Sequence, residues 1–96
     1  MKAVLIVHND AIDVDVSEIL QSVGIQHYTK FTNLLGKGQI SEPHLASEVW
    51  PETNYGTFVI VDEQKAHALM DAVRAKRSVL GTEGLKAFCW HIEDVT

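Results

Sequence analysis

Two short apolar runs, AVLIV at positions 3–7 and TFVIV at positions 57–61, decide how this chain folds. Both runs are rich in β-branched residues, and neither alternates between apolar and polar side chains. Continuous runs of this kind are typical of strands that are buried on both faces. We therefore predict two strands that carry apolar side chains on either side of a sheet.

A helical pattern follows each of these strands. After the first strand, apolar residues recur with helical spacing over residues 12–23, and Gly24 supplies a C-terminal stop. Carboxylates that can cap free N–H groups crowd the start of this stretch; they are Asp10, Asp13 and Asp15. After the second strand, Asp62 is placed to cap a second helix. The apolar stripe of that helix consists of Ala66, Leu69, Met70 and Val73.

The other segments complete a β-α-β-β-α-β order. Residues 25–35 and 85–92 are rich in strand-forming residues, whereas residues 39–56 hold both prolines and many polar residues, which indicates a loop. The simplest arrangement with right-handed crossovers is an α+β ferredoxin-like sandwich. In that fold, one four-stranded antiparallel sheet carries two helices on one face.

A ferredoxin-like fold leaves one apolar side of these two strands without cover. Two helices cover only one face of the sheet, yet AVLIV and TFVIV are apolar on both. Exposing several Val, Ile and Phe side chains is unfavourable at roughly 25 cal/mol per Å². Exposed apolar patches of this size usually mark an interface. The sequence therefore predicts a homo-oligomer that packs through its sheet faces.

Length and composition limit the classes of function. The 96 residues predict a single domain over residues 1–96, and the apolar content of 46% is ordinary for a globular protein. The net charge of −5 argues against nucleic-acid binding, which depends on neutralising phosphates. No apolar run is long enough to cross a membrane, and a single cysteine excludes an internal disulfide, so we expect no membrane insertion and a reduced, cytoplasmic setting.

From the end of the first predicted helix the chain runs VGI at residues 23–25, then Thr29, then GKGQ at residues 36–39. This segment resembles that of the PII-like nitrogen-regulatory signalling proteins. In this family, a VGI…T…GxGxQ segment ends the second strand and opens a long loop. The matching residues here are residues 23–25 (VGI), Thr29, Gly36, Lys37, Gly38 and Gln39. The later run GTEGLKAF at residues 81–88 is similar in position and character to the glycine-and-lysine loop that leads into the last strand of that family.

The resemblance implies a homotrimer with small-molecule clefts between subunits. It also implies an adenine nucleotide such as ATP or ADP as the ligand, and a loop that controls a partner such as a transporter or an enzyme. The ligand-binding residues would be Thr29, Gly36, Lys37, Gly38, Gln39, Gly84 and Lys86. Glycines let the backbone approach an anion, and lysines add positive charge. A different anion, a different nucleotide or a degenerate site stay open as alternatives.

Cys89 and His91 suggest a second possibility. They lie two residues apart on a predicted strand, so their side chains point to the same side of the sheet, as metal ligands could. The CutA-type ion-tolerance proteins share the fold and the trimeric assembly, so divalent-metal binding is the alternative function. The simpler interpretation is a small buried hydrophobe at Cys89 and a surface histidine at His91. We find no catalytic pairing of nucleophile and base and expect no enzymatic activity.

Overall fold

The computed structural model describes residues 1–36, 53–81 and 84–96. Within them the elements are β1 (Lys2–Asn9), a short 3₁₀ helix (Asp10–Ile12), α1 (Asp13–Val23), β2 (Thr29–Leu35), β3 (Thr53–Val61), α2 (Glu63–Leu80) and β4 (Leu85–His91). The predicted order of strands and helices is therefore confirmed.

The four strands form one antiparallel sheet in the order β2-β3-β1-β4. Each helix follows one strand and returns the chain to a parallel strand that is separated from the first by one other strand. This is the ferredoxin-like arrangement that the sequence predicts. No helix among the described residues has the length and apolar character needed to cross a membrane.

One end of each helix is as the sequence predicts, but the expected capping of the first helix by Asp10, Asp13 or Asp15 is wrong, because Ile12 stands at the N-cap of α1 and no side chain caps it. Gly24 adopts a left-handed conformation with φ 82° and closes α1 with a hydrogen bond from its N–H to the carbonyl of Gln21. The side chain of Asp62 accepts a hydrogen bond from the N–H of Lys65 and caps α2. The apolar stripe of each helix packs against the sheet.

The core lies between the sheet and the helices. It consists of Val4, Ile6, Val16, Ile19, Leu20, Ile25, Val59, Ala66, Leu69, Val73 and Leu85. Ile25 belongs to this core but precedes β2, which begins at Thr29 rather than at residue 25 as expected. On β1 the core residues alternate with residues of the opposite face, as the pleat of a strand requires.

That opposite face carries no helix and is apolar; we call it the open face. Leu5 of β1 lies on it between Phe58 of β3 and Phe88 of β4. Phe88 and Trp90 are 47% and 43% exposed, and Phe31 of β2 is exposed to a similar extent. The predicted conflict is therefore present in the structure: apolar strand residues face away from the helices without cover from the described part of the chain.

The loop predicted at about residues 39–56 is too long at its C-terminal end. β3 begins at Thr53, so residues 53–56 pair with neighbouring strands. Asn54 and Gly56 are poor strand formers, but a strand with partners on both sides tolerates them. A Cβ on Gly56 would lie only 3.1 Å from Leu34 Cδ1, so the glycine gives that side chain room. Residues 39–52 of the predicted loop lie outside the described residues.

Candidate ligand site at one end of the sheet

Four strand ends meet at the same end of the sheet. β1 ends here at Asn9, which pairs with Asn54 near the start of β3. Gly36 directly follows β2, and Gly84 directly precedes β4. Two of the glycines predicted to contact ligand are therefore at one end of the sheet, as strands of this topology require.

Two asparagines link these glycines across the sheet. A Cβ on Gly36 would lie 3.6 Å from the side-chain nitrogen of Asn54. On the other side, the N–H of Asn9 donates a 2.8 Å hydrogen bond to the carbonyl of Gly84, which has φ 85°. Glycine adopts such a left-handed conformation without steric cost. Sequence reasoning missed both asparagines, because their pairing depends on the register between distant strands.

Gly36 and Gly84 nevertheless lie at opposite edges of the sheet. In the order β2-β3-β1-β4, two strands stand between them. At a spacing of about 4.8 Å per strand, three steps place them on the order of 14 Å apart. One chain therefore does not bring the two glycine turns into a single pocket.

The other predicted ligand residues are spread in the same way. Thr29 starts β2, opposite Phe58, and so lies about 23 Å along the strand from Gly36 at roughly 3.3 Å per residue. Lys86 is exposed and pairs with Val7, which puts it on the open face near Gly84. Lys37, Gly38 and Gln39 lie outside the described residues, as do Thr82 and Glu83 of the predicted glycine-and-lysine loop.

A polar cluster lies on the covered face at the same end of the sheet. His8 is buried, and its Nε2 lies 3.0 Å from Asp13 Oδ1. The other carboxylate oxygen of Asp13 accepts a 2.7 Å hydrogen bond from Lys30 Nζ. The ring of Tyr55 stands edge-on to His8, with centroids 5.9 Å apart, and Lys30 Nζ is 5.4 Å from its centre. This cluster joins β1, the start of α1, β2 and β3.

The pKa values of His8, Asp13 and Lys30 in this cluster all differ from their ordinary values. Burial lowers the pKa of His8 below 6.5, although the hydrogen bond to Asp13 opposes this effect. Burial alone would raise the pKa of Asp13, but hydrogen bonds from Lys30 and His8 outweigh it and lower that pKa. The hydrogen bond to Asp13 raises the pKa of Lys30. At neutral pH the cluster thus holds a neutral histidine beside an ion pair.

Within the part of the chain that the structure describes, Cys89 and His91 gain no third metal ligand. Cys89 and His91 are both exposed on β4. In residues 1–36, 53–81 and 84–96, no group of three or more His, Cys, Asp or Glu side chains is arranged to hold a metal ion. Cys89 is also not the buried hydrophobe of the simpler interpretation, because it lies on an edge strand.

A separate groove of about 460 Å³ lies beside the end of α1. Ser17, Gln21, Gly24 and Tyr28 contribute to its walls. Lys65 Nζ nearby donates a 3.2 Å hydrogen bond to the carbonyl of Gly24. The groove contains none of the residues predicted to contact ligand.

The fold is that of PII-like proteins. The chain superposes with a TM-score of 0.75 on CPII from Thiomonas intermedia K12, a nitrogen regulatory PII-like protein bound to ADP, AMP and bicarbonate. The two chains are 18% identical, and the match covers 99% of this chain and 92% of the other. A structure of CPII bound to ADP and bicarbonate gives a TM-score of 0.70 at 21% identity, over 93% of this chain and 82% of that one.

A PII-like protein from another organism gives a comparable match. It is a putative PII-like signaling protein from Thermus thermophilus, with a TM-score of 0.66 at 20% identity, over 93% of this chain and 83% of that chain. No family model and no curated protein matches the sequence. The predicted resemblance to PII-like proteins is thus confirmed at the level of the fold.

Proposed function

We propose that this protein is a PII-like signal-transduction regulator that works as a homotrimer. It binds an anionic small molecule, an adenine nucleotide such as ATP or ADP, in clefts between subunits. The segment that leaves β2 at Gly36 controls a protein partner, which is a transporter or an enzyme. The protein acts through binding and carries out no chemistry of its own.

The open face is the observation that carries the proposal. Phe31 of β2 and Phe88 and Trp90 of β4 are large and about half exposed there, at the two edges of the sheet. Full burial of such a side chain contributes about 1.5–3 kcal/mol, so covering the exposed halves of several of them favours association. A second and a third copy of the same face supply an apolar cover that matches it.

The separation of the glycine turns supports clefts between subunits. Gly36 and Gly84 lie at opposite edges of one sheet, and assembly brings the edges of different subunits together. A ligand in such a cleft receives backbone N–H groups from glycine turns and charge from Lys86, the chemistry that an anion requires. The ADP and AMP bound to CPII, a protein of the same fold, support a nucleotide as that anion.

The position of β2 supports regulation through the segment after it. β2 is an edge strand whose residues are all exposed, and it leads directly into residues 37–52. A ligand at Gly36 therefore contacts the base of this segment. A change in the conformation of that base alters what the segment presents to a partner.

Calorimetric titration tests the ligand. ATP, ADP, AMP and cyclic AMP are titrated into the protein, each with and without bicarbonate. We expect at least one to bind, and Lys86→Ala to weaken its affinity by about tenfold or more, because a charge-assisted hydrogen bond is lost. Lys2→Ala is the matched control, since Lys2 lies on the same sheet at the opposite end and pairs with His91.

Two results contradict the nucleotide site. One is the absence of heat and of thermal stabilisation with every nucleotide. The other is binding that Lys86→Ala and Lys2→Ala weaken equally. The mass of the assembly is measured in the same samples, so a monomer that binds nothing is distinguished from a trimer that has lost its ligand.

A further inference from the structure

The polar cluster on the covered face connects the edge of the sheet to a helix. Asp13 begins α1, and its two carboxylate oxygens contact residues of different strands: His8 Nε2 of β1 at 3.0 Å and Lys30 Nζ of β2 at 2.7 Å. Lys30 and Asp13 side chains are 31% and 28% exposed, so water screens their ion pair only in part. The carboxylate thereby ties β2 to the start of α1.

The hydrogen bond to Asp13 fixes the tautomer of His8. A carboxylate only accepts hydrogen bonds, so Nε2 of the neutral ring carries the hydrogen and Nδ1 carries none. Nδ1 is buried without a hydrogen-bond partner among the described residues. A second proton on the ring would be placed on Nδ1, where no acceptor receives it, and a buried charge without full solvation is unfavourable.

Water reaches a protonated His8 only if the side chains that cover its ring move. The ring lies under the edge of Tyr55, and the Lys30–Asp13 pair adjoins it. β1 is a central strand held on both sides, whereas β2 is held by β3 alone, and its register with β3 shifts between Phe31 and Leu34. An edge strand with an irregular register is the part of this cover that opens at the lowest free energy.

We propose that Asp13 is a latch that holds β2 to α1, and that protonation of His8 releases it. In the closed state His8 is neutral and Asp13 binds Lys30. In the protonated state Asp13 stays with the imidazolium, the new N–H at Nδ1 requires water, and β2 moves away from the start of α1 to admit it, which breaks the Lys30–Asp13 pair. The proton comes from and returns to solvent. The part of β2 around Lys30 thus becomes more mobile in mildly acidic conditions.

The groups around His8 act on its pKa in both directions, and burial outweighs the carboxylates in the closed state. Asp13 of α1 and Asp10 of the 3₁₀ helix favour the imidazolium, Lys30 of β2 disfavours it, and burial is the largest effect and also disfavours it. Tyr55 is the titratable group on β3, and the paired residue on β4 is Leu85, which carries no charge. The closed state therefore binds a proton less readily than an opened state in which water reaches the ring.

Amide hydrogen exchange of the ligand-free protein tests the latch. Exchange at residues 29–31 is measured by NMR at about pH 7.5 and about pH 5.5, which lie on either side of the ordinary His pKa of about 6.5, and is corrected for the intrinsic pH dependence. We expect protection of these amides to fall by roughly fivefold or more at the lower pH, with smaller changes at β1. The ¹⁵N shifts of His8 report its tautomer and its protonation in the same samples.

Three variants separate the latch from general stability. Lys30→Met removes the ion pair and should lower the protection of β2 already at about pH 7.5, to a level that changes little with pH. His8→Gln keeps an N–H donor but does not titrate, so protection of β2 should become independent of pH. Lys76→Met is the matched control, because Lys76 pairs with Asp15 at 3.6 Å and similar exposure but links α1 to α2.

The latch is wrong if the wild-type protection of β2 is the same at both pH values. It is also wrong if Lys76→Met loosens β2 as much as Lys30→Met does. Because no nucleotide is present, these results do not depend on the proposed ligand, and a failure of nucleotide binding leaves them intact.

Discussion

Phe58 and Trp90 meet on the open face of the sheet, with ring centroids 6.1 Å apart and ring planes inclined by 40°. Phe58 belongs to β3 and Trp90 to β4, so the contact reaches across β1, where Trp90 stands opposite the small side chain of Ala3. Tilted aromatic pairs at this distance are favourable. The contact makes one continuous apolar surface of three strands, and it is this surface that we propose to be covered by further copies of the chain.

A charge placed in this surface should separate the subunits. Phe88 is 47% exposed in the single chain, and Phe88→Glu would bury a carboxylate without a partner in the assembly. We expect this variant to elute as a folded monomer at micromolar concentration, with its mass measured by light scattering. Val79→Glu is the control, because Val79 is 80% exposed on α2, on the helical side of the sheet, and should keep the wild-type mass.

The comparison of these two variants is decisive for the open face. An oligomer that persists in Phe88→Glu would show that this face is not the interface. Loss of assembly in both variants would instead indicate a nonspecific effect of added negative charge on a chain that already carries −5.

The folded protein should lose stability as pH falls below about 6.5. Burial lowers the pKa of His8 in the folded state, so the unfolded chain takes up a proton first as the pH decreases. The free energy of unfolding therefore falls from pH 6.5 down to the folded pKa of His8. Asp13 adds a second loss below its ordinary pKa of 3.8, because its folded pKa is also lowered.

Urea unfolding at a fixed protein concentration measures both losses. The His8→Gln variant should lose the first decline and keep the second, and Asp13→Asn should keep no more than a weakened form of the second. An unfolding free energy that is constant between pH 7.5 and pH 5.5 in the wild type would contradict the assignment of His8 as a buried, neutral residue.

Gly24→Ala should destabilise the protein by about 1 kcal/mol. The residue ends α1 with φ 82°, a conformation that costs free energy for a residue with a Cβ. The nearest atom to an added Cβ is Lys65 Nζ at 3.9 Å, so the conformation and not a collision causes the loss. Gly24→Asn should lose less, since asparagine tolerates this conformation better. Urea unfolding of the two variants checks this order, and equal stability of Gly24→Ala and the wild type would contradict it.

The sequence predicted much of the fold because its strongest patterns are local. The runs at residues 3–7 and 57–61 defined two strands, and the apolar stripes with Gly24 and Asp62 at their ends defined two helices. The same runs predicted an apolar face without cover, because two helices cannot shield both sides of a sheet. The start of β3 at Thr53 was missed, since Asn54 and Gly56 enter a strand only through its neighbours on both sides.

The candidate sites were harder to predict, because they depend on contacts between distant residues. His8 directly follows the apolar run at residues 3–7; β1 continues through it to Asn9, and its alternation places His8 on the face of Val4 and Ile6. The alternation of side chains along a strand was the sequence signal that could have placed His8 in the core. Nothing in the sequence joined Asp13 to Lys30, because the pair forms only when α1 packs beside β2.

The mass of the wild-type protein in solution tests the central claim most directly. Light scattering across a dilution series into the micromolar range should give three times the 10.7 kDa of one chain. A well-folded particle of 10.7 kDa across the same series would contradict the account, because the open face would then be stable in water and no cleft between subunits would exist.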